Sequence, residues 1–329
     1  MGVSVLYIDD FGRDELDTES GSLLGVPVES KLSVLFMANA SFLYTPDQVT
    51  LTTTGGSGFR FSGQFSVDSI STGTDLSEFS ELQGTVSKLT DISEDDDGEL
   101  FGRFEIDFLE PMTMNKLVFG STWSTLLDGD DLLTGGDGFD YLFAYDGDDV
   151  IVTGIGGDIV NGGSGVDRVI YPSEKFSVQQ TDTGYLVGDD TLENIERIEF
   201  SDVNVALDLD GSAGLTAKTL AAVIGEEGLS NREYVGIGLE LFDAGQSLAS
   251  VCELALTAVG ATTNEAVVNL LYTNLYGEAP TADVAQPFID ALNNGEYNKG
   301  VLASAAAELT DDLGVIDLVG LAETGIEYV

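Results

Sequence analysis

The chain has no histidine, one cysteine, one tryptophan and only 12 basic residues in 329. Each scarcity excludes something. Without histidine, neither a Ser-His-Asp nor a Cys-His catalytic set can be assembled, and no His-containing zinc site can form. Cys252 alone makes no intramolecular disulfide and no thiolate zinc site; on its helical stretch it reads as a small core residue. No phosphate-cradling loop ending Gly-Lys-Ser/Thr occurs. No apolar run reaches the roughly 18 residues needed to span a bilayer. The start, Met1 to Asp10, lacks a basic region followed by an apolar stretch, so the expectation is that no standard signal peptide is present. Leu6 stands where a myristoylation motif needs Ser or Thr.

The few basic residues face 58 Asp and Glu, a formal net charge of −46. Nucleic acid and anionic membrane surfaces are disfavoured as partners, because both need Lys and Arg. Cations are the natural partners. Such a charge opposes compaction at low salt. A saline habitat would account for the acidity alone, but not for the pattern within it.

That pattern lies between Leu126 and Ile170, where the chain repeats five times every nine residues: 126–134, 135–143, 144–152, 153–161 and 162–170. The fourth position is always Gly: Gly129, Gly138, Gly147, Gly156 and Gly165. The sixth is always Asp: Asp131, Asp140, Asp149, Asp158 and Asp167. The eighth is always a branched aliphatic: Leu133, Leu142, Ile151, Val160 and Val169. Strand side chains alternate every two residues, so a nine-residue unit cannot be all strand. Positions one to six read as a turn and seven to nine as a very short strand. The eighth-position aliphatic points inward, and only stacking of units buries it.

The turns gather carboxylates and freed backbone carbonyls, hard oxygen ligands that suit Ca²⁺. From 126 to 167 there are ten Asp and no Lys or Arg. Asp128, Asp137 and Asp146, at the third positions, join the sixth-position Asp and fourth-position Gly as candidate metal-site residues. Stacking these turns without a cation places like charges side by side, so metal binding and folding should be coupled.

The array resembles the RTX calcium-binding repeat, G-G-x-G-x-D-x-U-x with U aliphatic. The best copies are Gly135-Gly136-Asp137-Gly138-Phe139-Asp140-Tyr141-Leu142 and Gly162-Gly163-Ser164-Gly165-Val166-Asp167-Arg168-Val169. Departures are Leu126-Leu127, Ala144-Tyr145 and Thr153-Gly154 at the leading pair, and Ile155 and Gly157, which thin the oxygens of the fourth unit. The resemblance implies a parallel β-roll, two units per turn, with ions bridging units one turn apart. It would then join Asp131 with Asp149, Asp149 with Asp167, and Asp140 with Asp158, for about three Ca²⁺ ions.

The expected fold is multidomain, β then α. Residues 1–125 read as an N-terminal β-rich module, with alternation at 31–36, 59–67 and 102–108. The acidic run Glu94-Asp95-Asp96-Asp97-Gly98-Glu99 reads as a solvated turn, with a peripheral calcium site as the alternative. Residues 126–170 are the roll. Residues 171–211 are short strands that cap its open edge, with turns at Thr181–Gly184 and near Gly188-Asp189-Asp190, ending in a hinge at 208–212. Residues 212–329 are a C-terminal all-α domain. Its helices are expected near 215–225, 231–244, 248–259, 263–276, 281–293 and 299–309, with a turn or helix near 314–323. Ser230 with Glu233 and Thr262 with Glu265 have capping-box spacing; Gly245, Gly260, Gly277 and Gly295 mark helix stops.

The segment ending Asn194-Ile195-Glu196-Arg197-Ile198-Glu199-Phe200-Ser201-Asp202 looks like the β cap after many RTX rolls. The helical tail, with Tyr234–Leu239, Leu275–Pro280 and Ile316–Ala322, resembles a domain of unknown function that follows RTX arrays in secreted bacterial proteins. Residues 1–125 loosely resemble the β modules that precede them. The resemblance implies export by type I secretion with an uncleaved C-terminal signal. The last stretch, Thr324 to Val329, then reads either as that signal or as an ordinary terminal helix.

No catalytic residue is assigned. Asp208 and Asp210 begin like an EF-hand loop, but Ser212 and Thr219 stand at its fifth and twelfth ligand positions. An Asp/Glu pair could serve a glycan-active hydrolase, but Trp123 is the single tryptophan. Tyr141, Phe143 and Tyr145 read as packing. The leading expectation is an extracellular, calcium-dependent structural protein of a surface layer, sheath, filament or matrix. Its partners would be calcium and either other copies of itself or cell-surface and matrix components. An adhesin or effector that uses residues 1–125 to bind carbohydrate or a host protein is the alternative.

Overall fold

A computed structural model describes residues 127–329, except 128, 137 and 138, together with the backbone of ten strands within residues 1–113. Two compact units result: 1–172 with 181–195, and 173–180 with 196–329.

In the first unit the strands are β1 (Val3–Ile8), β2 (Leu16–Asp17), β3 (Ser22–Leu23), β4 (Val26–Pro27), β5 (Ser41–Thr45), β6 (Gln48–Thr52), β7 (Gly58–Ser66), β8 (Thr72–Gly73), β9 (Gln83–Glu94) and β10 (Leu100–Thr113). Strands β5 to β10 form an antiparallel sheet in the order β10-β9-β7-β6-β5-β8. The alternating runs at 59–67 and 102–108 fall largely on β7 and β10. The run at 31–36 and the acidic stretch at 95–99 lie outside the described residues.

The nonapeptide units supply β11 (Leu132–Thr134), β12 (Tyr141–Phe143), β13 (Val150–Val152), β14 (Ile159–Asn161) and β15 (Arg168–Ile170). Units one, three and five pair in parallel in one sheet, with Leu133 opposite Ile151 and Ile151 opposite Val169. Units two and four pair in parallel in another, Leu142 opposite Val160. Each eighth-position aliphatic is fully buried, while its strand neighbours are not: Leu133, Leu142, Ile151, Val160 and Val169 all have 0% exposure. They form the apolar spine that no unit could bury alone. Outside it, Phe139 packs edge-on against Tyr141, ring centroids 4.9 Å apart. β1 runs parallel to β11, with Leu6 opposite Leu133, and β2 pairs in parallel with β12. The first strands of the chain thus continue both sheets of the roll.

The segment expected to cap the roll is divided. Residues 181–195, with the hairpin β17 (Tyr185–Val187) and β18 (Asp190–Glu193), belong with the roll. Thr181 N–H donates to the Gly184 carbonyl (2.8 Å), closing the turn foreseen there. β16 (Val178–Gln180), β19 (Arg197–Glu199) and β20 (Asn204–Ala206) belong to the second unit.

The second unit also holds α1 (Ser212–Val223), a 3-10 helix (Glu226–Ser230), α2 (Arg232–Asp243), α3 (Leu248–Ala258), α4 (Asn264–Tyr276), α5 (Ala282–Asn294), α6 (Lys299–Asp312) and α7 (Leu318–Ala322). Gly245, Gly260, Gly277 and Gly295 end helices with φ of 72–77°, conformations a side chain resists. The two N-caps sit one residue later than the capping-box spacing suggests. Asn231 accepts from Glu233 and Tyr234 N–H, because Ser230 closes the 3-10 helix; Thr263 accepts from Ala266 N–H. Small residues let the helices approach closely: Ala222, Cys252, Val267, Ala303 and Ala307 share one core cluster. Cys252 is buried beside the Thr219 hydroxyl, and burial pushes its thiol up to about 11.

The last stretch departs from the terminal-helix reading: Ile326–Tyr328 form β21, antiparallel to β20. Gly325, at φ 73°, stops the preceding turn, and Glu327 bonds both Lys175 (2.8 Å) and Arg232. The segment expected as a hinge forms a turn, in which Gly211 N–H donates to the Asp208 carbonyl at 2.8 Å. Arg197, 2% exposed, pairs with Asp208 and makes a two-pronged contact with Asp243 at 2.7 and 2.9 Å. Asp208 is therefore spent on an ion pair, which agrees with the failure of its EF-hand pattern.

Candidate metal centre

The turns of the roll stack at a spacing of 18 residues, and the sixth-position Asp residues stack with them. Asp131 N–H donates to Asp149 Oδ1 at 2.7 Å, and Asp149 N–H to Asp167 Oδ1 at 2.9 Å. On the other side, Asp140 N–H donates to Asp158 Oδ1 at 2.8 Å. Each of the three pairs that the resemblance implies is thus in hydrogen-bond contact. All five Asp residues are buried, with exposures of 0–4%.

The glycines explain how backbones come this close. Gly147 has φ 139°, and a Cβ there would sit 2.3 Å from the Gly129 carbonyl one turn away. Gly163, at φ 101°, would put a Cβ 1.8 Å from the Tyr145 oxygen. Tyr145 holds the second position of its own unit at φ 76°, a strained conformation for a residue with a side chain. Gly129, Gly156 and Gly165 occupy the corresponding turns; Gly138, Asp128 and Asp137 lie outside the described residues. Asp146 is exposed, and its backbone bridges to Ser164.

A second carboxylate row was not read from the sequence. Asp148 N–H donates to Asp130 Oδ1 at 3.0 Å, and Val166 N–H to Asp148 Oδ1 at 2.8 Å. Both carboxylates are exposed. Their signal was an Asp at the fifth position of units one and three. A further buried carboxylate, Asp190, was read only as part of a turn. It accepts from Asp158 N–H at 2.8 Å.

The ladder is electrostatically incomplete. Asp149 Oδ2 and Asp158 Oδ2 are buried with no hydrogen-bond partner. Burial, reinforced by the charges of Asp130 and Asp148, pushes the Asp149 carboxyl up to about 7. Burial, reinforced by Asp190 and Asp140, pushes Asp158 up to about 7. A buried carboxylate oxygen without a donor is costly, and a divalent cation removes that cost. The donor set is all oxygen, which fits Ca²⁺ and excludes soft metals. Among the described residues no three carboxylate side chains converge. A cation here would take carboxylates two at a time and draw its other ligands from turn carbonyls. Asp131 with Asp149, Asp149 with Asp167, and Asp140 with Asp158 would hold it. Bound there, it would supply positive charge to turns that carry no Lys or Arg from 126 to 167.

Parallel two-sheet coiling with buried Asp ladders defines a β-roll of nonapeptide turns. Residues 127–160 and 135–169 match the family described as RTX calcium-binding nonapeptide repeat (4 copies). Residues 127–169 thus carry calcium-binding repeats of a kind typical of extracellular, type I-secreted proteins. Among solved structures, the extracellular lipase LipA from Serratia marcescens is similar at 23% identity and a TM-score of 0.22. That match covers 26% of this chain and 16% of the lipase chain. No curated protein matches the sequence. No helix among the described residues is long and apolar enough to cross a membrane.

Proposed function

We propose that this is a secreted structural or adhesive surface protein, without catalytic activity, whose roll folds when Ca²⁺ reaches it outside the cell. One observation carries the reading: a ladder of buried Asp carboxylates in which Asp149 Oδ2 and Asp158 Oδ2 have no hydrogen-bond donor. Where calcium is scarce this ladder resists closure, which suits export of an unfolded chain. Where calcium is plentiful the ladder closes, with about three ions at the three Asp pairs. The surplus of 58 acidic over 12 basic residues also lets calcium bridge copies of the chain, or bridge the chain to an acidic matrix. Without histidine, neither a Ser-His-Asp nor a Cys-His catalytic set is available to the chain.

Two measurements test the reading. Calcium titration followed by circular dichroism should give a saturable gain of β signal; a spectrum indifferent to chelator would refute calcium-dependent folding. Electron microscopy with calcium should show filaments, sheets or layers that disperse on chelation. Monodisperse particles in both conditions would refute assembly and leave adhesion to a different partner.

A further inference from the structure

Residues 185–193 lie outside the matched repeats, yet they carry the three diagnostic positions: Gly188 fourth, Asp190 sixth and Leu192 eighth. Residues 171–184 break the period ahead of them, which hides the unit from a scan for consecutive repeats. Its second half is laid on the roll as the other units are. β18 runs parallel to β14 with Leu192 opposite Val160, just as Val160 lies opposite Leu142. Thr191 N–H donates to the Asp158 carbonyl at 2.8 Å, repeating the bond from Ile159 to Asp140 at 2.9 Å. Gly162 N–H donates to the Glu193 carbonyl at 3.1 Å, as Gly135 N–H does to Val152 at 2.8 Å. Asp158 N–H meets Asp190 Oδ1 at 2.8 Å, the same bond that Asp140 N–H makes to Asp158 Oδ1. Leu192 is fully buried and Asp190 is 5% exposed.

We propose that residues 185–193 are a displaced sixth unit of the roll, and that Asp158 and Asp190 form an additional site for a hard divalent cation, Ca²⁺ above all. The proposal rests on the calcium reading of the roll. What points to a ligand, beyond two acids side by side, is Asp158 Oδ2, buried without a donor in a residue that is 1% exposed. Asp190 retains capacity. It accepts from Asp158 N–H and from the Tyr171 hydroxyl at 2.8 Å, two bonds on a group with about four lone-pair sites. Tyr171 is buried and acts as a positioning residue, fixing the carboxylate from outside the metal's own shell. The site also accounts for Gly157, an oddity of the fourth unit. A Cβ there would stand 3.1 Å from the Asp189 carbonyl, so a side chain would press on the sixth unit's turn. The first half of the sixth unit, Tyr185–Val187, folds back antiparallel on β18 instead of stacking as a turn. This step therefore offers fewer turn carbonyls and should be the weakest site.

The test is calcium binding by the full chain, measured by isothermal titration and equilibrium dialysis, for wild type, Asp190→Asn, Asp149→Asn and Tyr171→Phe. Asn at 190 keeps an acceptor for Asp158 N–H but removes the charge. Asp190→Asn should bind one ion fewer, the weakest. Tyr171→Phe should weaken that ion about 10–100-fold, the usual effect of losing an outer partner of a ligand. If Asp149→Asn loses calcium while Asp190→Asn binds as many ions with unchanged affinities, the sixth site is wrong and the roll reading stands. If wild type binds no calcium, the roll reading fails and the proposal with it. Should Asp190→Asn fail to fold, Tyr171→Phe decides: unchanged affinity at every site overturns the proposal.

Discussion

Asp149 and Asp158 have folded-state carboxyls near 7 in the absence of metal, against an ordinary value of 3.8. A carboxyl whose folded value is raised stabilises the fold only while protonated, and that stability is lost as pH rises through the folded value. Between about pH 4 and 7 the metal-free roll should therefore weaken by a few kcal/mol in all. A tenfold change in proton affinity is worth about 1.4 kcal/mol before solvent and structural relaxation reduce it. Calcium needs the ionised form, so its effect runs the other way. In chelator, circular dichroism should report more roll at pH 5 than at pH 8. In calcium, the midpoint concentration should fall as pH rises. Asp149→Asn should raise that midpoint at least tenfold at pH 8, while making the chelated protein more folded there, not less. Gly163→Ala should behave differently, because it fails on space and backbone rather than charge: its φ of 101° and a Cβ 1.8 Å from the Tyr145 oxygen block closure of the turn. A loss of several kcal/mol is expected at every calcium concentration, read as a roll signal that no added calcium restores.

At the scale of elements, the spine holds the roll and the small residues hold the helices. Ile151 lies in the middle of the odd-numbered sheet with Leu133 on one side and Val169 on the other. Ile151→Ala should cost about 2–5 kcal/mol, measured by urea denaturation at saturating calcium. Much of this was legible in the sequence, because the constraint is periodic: one inward position in nine, one turn Gly, one Asp. The helix ends were legible for a similar reason, since Gly245, Gly260, Gly277 and Gly295 each take a conformation that few residues accept. The caps shifted by one because Asn231 and Thr263 compete with the neighbouring Ser230 and Thr262 for the same role. β21 was missed because three residues, Ile326–Tyr328, carry too little alternation to register. Asp130 and Asp148 carry no periodic signal, because Phe139, Gly157 and Val166 hold the fifth position in the other units. Asp190 is hidden by the interrupting residues 171–184, not by weak chemistry.

For the molecule, removal of calcium should not act evenly. The charge problem sits in the roll, whereas the second unit is held by small-residue packing and by the ion pairs around Arg197. Chelation should abolish roll signal while most helical signal persists; simultaneous loss of both would show a single cooperative unit. Arg197→Met should do the opposite. It leaves Asp208 and Asp243 without their cation, a change that costs about 3–5 kcal/mol when the remaining charge is buried; partial exposure of Asp243 places the expectation at the lower end. The helical transition in urea should move, and the calcium midpoint of the roll should not.

The 18-residue spacing of the ladder has one more consequence: the array has parity. Consecutive units alternate between two sheets, so Asp131, Asp149 and Asp167 share one side and Asp140 and Asp158 the other. Excising two units shortens the roll and leaves every later residue on its own side. Excising one unit sends every later residue to the opposite side, exchanging its stacking partners. Lengthening or shortening such an array is therefore conservative only in even steps.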